Sequence, residues 1–135
     1  MRDAFLAAVK EAAPGAWVRQ GGRLQPLAKR LGEPKALVLD VLSAQFRKRA
    51  AAAGIRFNPA FAGAYDFTTS PDFGVLMRQF LEGMPEGGLV MCHPGFVDET
   101  LEGLDPLTTQ REAEHAYLAG AQFPPLLAAN NVTLG

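Results

Sequence analysis

The sequence predicts an α/β fold in which parallel strands are flanked by helices. The segment from Pro34 to Ala53 repeats apolar residues at helical spacing. The segment from Gly88 to His93 is a short continuous apolar run, which is typical of a strand buried on both faces, as in parallel sheets. Helical and strand-like segments alternate along the chain, and Pro and Gly separate them, which favours α/β architecture.

The first half of the chain is predicted to form helices and short strands at residues 3–12, 16–19, 34–53, 55–57 and 61–65. Phe5, Leu6 and Val9 lie on one face of the first helix, and Pro14 stops it. Pro34 begins the second helix, where its missing N–H costs little. The apolar stripe of that helix contains Leu37, Val38, Val41, Leu42 and Phe46.

In the second half, Ser70 is predicted to cap a helix whose first turn contains Pro71. The apolar stripe of this helix contains Phe73, Leu76, Met77, Phe80, Leu81 and Met84. A possible capping box, Thr109-x-x-Glu112, is predicted to open a fourth helix. The remaining predicted elements are a strand at 88–93, a short helix from Pro124 and a terminal strand at 131–134.

Length and charge bound the function. The chain has 135 residues, so we expect a single domain over residues 1–135. Thirteen basic and fourteen acidic residues give a net charge of -1, which argues against a nucleic-acid partner. The single cysteine excludes an internal disulfide. No run of apolar residues reaches the length of a membrane span or a signal peptide, so the expected location is the cytoplasm.

His93 is the first candidate functional residue, because it closes the apolar strand and parallel sheets carry their sites at the carboxyl ends of strands. Asp98 follows in the same predicted loop. A His and an Asp placed in this way act as an acid/base and its orienting group, or as metal ligands. The alternative is a histidine at the edge of the core that only bonds a local backbone carbonyl.

Three other polar residues near His93 in the sequence are weaker candidates. Cys92 is adjacent to it, but neighbouring strand residues point to opposite faces, so a thiol nucleophile with His93 as its base is disfavoured. Arg111 lies in the first turn of a predicted helix, where the dipole disfavours a cation. By itself this position favours a plain surface arginine, and the alternative is a buried ion pair or a substrate contact. Glu114 is expected on a solvated or mixed face of the same helix.

These residues belong to a pattern that resembles the YdjC-like family, which includes ChbG-type chitooligosaccharide deacetylases and the HpnK proteins of hopanoid biosynthesis. The resemblance extends over essentially the whole chain. Its most specific part is the Cys-His-Pro-Gly block with the downstream Arg-Glu-x-Glu. The residues that carry it are Met91-Cys92-His93-Pro94-Gly95-Phe96-Val97-Asp98, Leu101, Asp105-Pro106-Leu107-Thr108 and Arg111-Glu112-Ala113-Glu114, with weaker support from 13–20, 61–67 and 126–134.

The resemblance implies the C-terminal part of a deformed (β/α) barrel and a hydrolase that removes N-acetyl groups from amino sugars or glycolipids. It implies Mg²⁺ or Zn²⁺ in the full-length family, where the metal polarises the amide carbonyl and activates water. Carried over residue by residue, His93 is the general acid to the leaving amine. Asp98 orients His93 or holds the loop, and Arg111 pairs with a carboxylate or contacts substrate.

The departures from the family also shape the expectation. The acidic and histidine-rich motifs that hold the family's metal have no counterpart in this sequence, so no metal ligand is assigned. We expect a truncated deacetylase with little or no activity alone. The alternative is a non-catalytic binding or assembly module that retains half of the fold. Half a barrel exposes a strand edge and an apolar face, so self-association or a chain supplying the missing half is expected.

Overall fold

A computed structural model of the chain describes residues 2–22, 34–67, 69–105 and 108–135. The chain divides into two compact units, one drawn from Met1–Ala62 and Gly83–Leu89, the other from Gly63–Glu82 and Val90–Gly135. The described elements are α1 (Arg2–Ala12), β1 (Trp17–Val18), α2 (Pro34–Ala52), β2 (Arg56–Phe57), β3 (Phe61–Ala62), α3 (Phe73–Leu81), β4 (Leu89–Val90), α4 (Glu99–Leu104), α5 (Thr109–Leu118) and α6 (Phe123–Ala129).

The first unit contains a parallel pair of strands. β1 and β2 run side by side with Trp17 opposite Arg56 and Val18 opposite Phe57. Parallel strands need a long connection, and α2 lies in that connection. The α/β class is therefore confirmed, while the barrel stays a prediction. The core of this unit consists of Leu6, Val18, Ala50 and Ile55, with Val9, Phe46, Ala53 and Phe57 packed against it.

A buried polar pair joins the chain beyond β1 to the chain beyond β2. Asn58 is 4% exposed and Gln20 is 1% exposed. The Gln20 backbone N–H donates to Asn58 Oδ1 at 2.8 Å, and Asn58 Nδ2 donates to the Gln20 carbonyl at 3.1 Å. Because buried polar groups are costly without partners, this reciprocal pair fixes the register of the two segments.

Helix α3 organises the second unit. Asp72 caps it by accepting a hydrogen bond from the Val75 N–H at 2.9 Å, so Ser70 does not cap it and Pro71 lies outside its first turn. Phe73, Met77 and Leu81 recur at helical spacing and are buried. The half-buried side chains around them are Tyr65, Leu76, Phe80, Val90, Cys92, Tyr117, Leu118, Phe123, Leu126, Leu127 and Val132.

The predicted terminal strand at 131–134 is wrong, because Asn131 and Val132 bond back to the end of α6 and no strand follows. Asn131 has a φ of 52°, in the left-handed region. The Val132 N–H donates to the Leu127 carbonyl at 2.9 Å, and the Asn131 N–H donates to Ala128 at 3.1 Å. This is a Schellman motif, so the N–H groups that a strand would use are already taken.

Two other predicted elements differ in part from the expectation. β3 is limited to Phe61–Ala62, and Gly63 ends it with a φ of 106°. The apolar stripe of α2 is only partly buried, since Val38 and Val41 are exposed while Leu42 and Phe46 are half-buried. The side chain of Leu37, and Pro106 and Leu107 of the family pattern, lie outside the described residues.

None of the helices described has both the length and the apolarity needed to cross a bilayer.

Candidate active site

The loop after β4 is held along one side of α5. β4 covers only Leu89–Val90, so the predicted strand ends before His93, and residues 91–98 form this loop. Backbone N–H groups of alternate loop residues donate to α5 rather than to a neighbouring strand, which explains why the strand stops early. The bonds run from His93 to Glu114 Oε2, from Gly95 to the Arg111 carbonyl at 3.2 Å, and from Val97 to Glu112 Oε1 at 3.4 Å.

Glu114 is the central side chain of this arrangement. It is 0% exposed, although a solvated or mixed face was expected for it, so the solvated position is wrong. Its Oε1 accepts a hydrogen bond from the Tyr65 hydroxyl at 2.6 Å, and its Oε2 accepts the backbone N–H of His93. Tyr117 and Leu118 follow three and four residues later and pack against the α3 cluster, so Glu114 shares their inward face.

The buried carboxylate changes the electrostatics of its neighbours. The pKa of Tyr65 is raised above its ordinary value of 10, mainly by burial and then by the hydrogen bond to Glu114. The pKa of Cys92 is raised to about 11, mainly by burial and then by the negative charge of Glu114. Both groups are therefore protonated at neutral pH, and the Cys92 thiol has none of the thiolate character that a nucleophile needs.

His93 has a defined ring environment. The Phe67 ring meets its imidazole edge-on, at 5.4 Å between centroids and an interplanar angle of 90°. Its Nδ1 atom is buried and has no hydrogen-bond partner among the residues that the structure describes. The alternative in which His93 serves only to bond a backbone carbonyl is not seen at this nitrogen.

Asp98 and Arg111 form hydrogen bonds at opposite ends of α4. Asp98 is exposed and caps α4, accepting the Leu101 N–H at 2.8 Å. Within the described chain, no hydrogen bond joins Asp98 to His93. Arg111 Nη2 donates to Asp105 Oδ2 at 2.6 Å, and these side chains are 20% and 34% exposed. That carboxylate offsets the unfavourable position of a cation in the first turn of α5.

The predicted capping box at the start of α5 does not form. The helix begins at Thr109, and Thr108 occupies the cap position without a side-chain hydrogen bond. Glu112 accepts the Val97 N–H instead, so its carboxylate serves the loop. Sequence reasoning missed the role of Glu114. The signal available for it is its spacing, because it precedes the apolar residues Tyr117 and Leu118 by three and four positions.

A cleft of about 320 Å³ is present in the first unit, but it contains none of the predicted site residues. Its lining consists of Val9, Lys10, Ala13, Pro14, Gly15, Ala16, Ala53, Gly54, Ile55 and Arg56.

Comparison with known proteins identifies the family. The profile of the YdjC-like protein family matches residues 1–129, nearly the whole chain. The chain belongs to the YdjC-like family. Carbohydrate deacetylases from three strains of Vibrio cholerae serotype O1 (Classical Ogawa 395, M66-2 and El Tor Inaba N16961) are each 36% identical over 88 residues. The alignment covers 60% of this chain and 35% of each relative, so the chain spans about a third of their length. No solved structure gives a significant match.

Among the described residues of this YdjC-like chain, the side chains do not by themselves form a ligand set for a metal ion. Within residues 2–22, 34–67, 69–105 and 108–135, no three His, Cys, Asp or Glu side chains are grouped as ligands. The donor atoms nearest the loop are already used, since Glu114 accepts from Tyr65 and His93, and Asp98 caps α4.

Proposed function

We propose that this chain takes part in removing N-acetyl groups from amino sugars, with His93 as the proton donor to the leaving amine. The observation that supports this role is the hydrogen bond from the His93 backbone N–H to the fully buried carboxylate of Glu114. This bond fixes the start of the loop that packs along α5. Membership of the YdjC-like family and similarity to proteins named carbohydrate deacetylase support the substrate class.

The proton balance of the reaction assigns the task of His93. Water adds to the acetyl carbonyl carbon, the C–N bond breaks, and its electron pair leaves with the sugar nitrogen. That nitrogen must gain a proton as the bond breaks, and an imidazolium supplies it, which gives the free amine. Of the two protons that the attacking water brings, one restores the imidazolium, and the other is released when the acetic acid ionises to acetate. Because Nδ1 is buried, we assign the transfer to Nε2.

Activation of the attacking water is not assigned to any described residue of this chain. The metal-holding motifs of the family have no counterpart in the sequence, so we propose that the chain alone turns over little or no substrate. The same chain still retains the loop and helix that would contact the sugar. Binding without turnover is therefore the expected behaviour of the isolated polypeptide.

The test measures binding of N,N′-diacetylchitobiose to the purified chain by saturation-transfer NMR. Acetate release is measured in the same samples. The only two histidines of the chain provide a matched pair of variants. His93→Gln is expected to weaken binding, while His115→Gln leaves it unchanged. Fully deacetylated chitobiose is expected to bind more weakly than the acetylated sugar.

Two results would contradict the proposal. If the wild-type chain shows no binding, or if His93→Gln binds as the wild type does, His93 does not face the substrate. Acetate release by the chain alone, on addition of Zn²⁺ or Mg²⁺ after chelator treatment, would instead overturn the proposed inactivity and show that its residues complete a metal site.

We also propose that the chain associates with itself or with another polypeptide. Its described strands form only two-stranded sheets, which leaves strand edges unpaired. Each unit also carries exposed large apolar side chains, among them Phe5 and Val38 in the first and Phe96 and Leu104 in the second. Light scattering is expected to show a mass above 14.5 kDa that rises with concentration, and a strict monomer would contradict this.

A further inference from the structure

Glu114 occupies a position that a carboxylate rarely takes without a reason. Burying a charged group is costly unless it is hydrogen-bonded, and glutamate is seldom fully buried. Here the exposed fraction is 0%, and each carboxylate oxygen has one donor from a different part of the unit. Hydrogen bonds to an ionised acceptor are stronger than neutral ones, so these two contacts constrain both donors.

The two donors connect Glu114 to His93 by two separate routes. The direct route is the backbone N–H of His93, which fixes the main chain from which the imidazole projects. The second route passes through Tyr65, whose hydroxyl donates to Glu114 and whose ring lies 4.3 Å from that of Phe67. Phe67 in turn contacts the imidazole edge-on. Tyr65, Glu114, His93 and Phe67 thus form a closed circuit of contacts.

This circuit constrains the histidine from two sides. Glu114 holds its main chain, and Phe67 limits the rotation of its ring. Among the described residues, Nδ1 of the His93 side chain has no hydrogen-bond partner, so the ring depends on these contacts for its orientation. An acid that transfers a proton must be held within hydrogen-bond distance of the leaving group, so such constraint affects rate directly.

We propose that Glu114 is a positioning residue that, together with Tyr65, fixes the orientation of the His93 imidazole. Its function as a positioning residue rests on the proposed role of His93 in deacetylation. The orientation itself is a property of the chain without substrate and is tested without activity.

The experiment measures His93 in the wild-type chain and in Glu114→Gln by ¹H–¹⁵N NMR. A glutamine carbonyl still accepts one hydrogen bond, but its amide faces the other donor, so one of the two contacts is lost. The expected result is an upfield shift of the His93 backbone N–H, about tenfold faster exchange of that proton, and displaced imidazole nitrogen signals. The His115 imidazole signals are expected to stay in place.

Glu112→Gln is the matched control, since it makes the same chemical change on the same helix at an exposed carboxylate that bonds Val97. It is expected to leave the His93 imidazole signals unchanged. If Glu114→Gln does not fold, Tyr65→Phe provides the test, because it removes one contact to Glu114 while the ring remains. Tyr65→Phe is then expected to displace the His93 imidazole signals.

Imidazole signals that stay in place in either folded variant would overturn the positioning role and leave Glu114 as a structural residue. An equal displacement in Glu112→Gln would also overturn it, because the loop would then respond to any loss on α5. Failure of the proposed function has a different signature. In that case the wild-type chain does not bind diacetylchitobiose, although Glu114→Gln still displaces the His93 signals.

Discussion

The substitution Tyr65→Phe isolates one hydrogen bond in the candidate site. It removes the hydroxyl that donates to Glu114 at 2.6 Å and keeps the ring, whose centroid lies 4.3 Å from that of Phe67 and 6.2 Å from that of Phe73. A hydrogen bond to a charged group is worth about 1.5–3 kcal/mol, and a buried carboxylate that loses a donor is not resolvated. We therefore expect the free energy of unfolding at pH 7 to fall by about 1.5–3 kcal/mol.

This loss converts into a measurable change of melting temperature. With an unfolding entropy of about 2.1 cal/mol/K per residue and 135 residues, the expected decrease in Tm is about 5–10 °C. Circular dichroism during heating and urea titration both report it. Tyr117→Phe is the control, because the Tyr117 ring also packs in the α3 cluster, with its centroid 5.7 Å from that of Phe73. No hydrogen bond of its hydroxyl is found among the described residues.

The pH dependence gives a second check on the same bond. The pKa of Tyr65 is higher in the folded than in the unfolded chain, where it is about 10. The contribution of Tyr65 to stability is therefore complete below pH 10 and declines as the pH rises above that value. The difference in stability between wild type and Tyr65→Phe should shrink in the same range. A destabilisation no larger than that of Tyr117→Phe, with no pH dependence, would refute the reasoning.

Three further predictions concern other residues near the site. Gly63→Ala should destabilise the chain by more than about 3 kcal/mol in urea titration, because an added Cβ would lie 2.0 Å from the Met91 carbonyl oxygen at a φ of 106°; a loss under 1 kcal/mol would contradict this. Cys92, with its pKa raised to about 11 from 9.0, should react with iodoacetamide at pH 7 about a hundredfold more slowly than a free thiol, and at the ordinary rate in urea; rapid native alkylation would revive the cysteine nucleophile. Asp98→Ala should increase amide exchange throughout α4 at a cost of about 1 kcal/mol while Asp98→Asn does not, and equal effects of both would show that its charge, not its cap, matters.

The helices show how much local pattern decides. α1 and α2 lie within one residue of their predicted ends, because apolar spacing, Pro34 and Gly54 act over a few neighbouring residues. α3 keeps its apolar stripe, although its cap is Asp72 rather than Ser70. Neighbouring polar residues offer alternative caps, and the packing of the first turn selects between them.

Asp98 shows that a sequence can single out a polar residue without revealing which group that residue contacts. An aspartate after a strand suits a site residue, and an aspartate three residues before Leu101 suits a helix cap. Sequence reasoning considered the first use and overlooked α4. The structure describes the second, since the Asp98 carboxylate accepts the Leu101 N–H.

The amino-acid sequence by itself determined the α/β class, the main helices and the placement of His93 at the end of an apolar segment. These follow from periodicity and from turn residues, which act locally. The tertiary structure alone decided the burial of Glu114, its contacts with Tyr65 and His93, and the early end of β4. The contacts of Glu114 depend on donors 21 and 49 residues away, and the end of β4 depends on bonds from the following loop to α5. No local pattern encodes which distant partner these groups will meet.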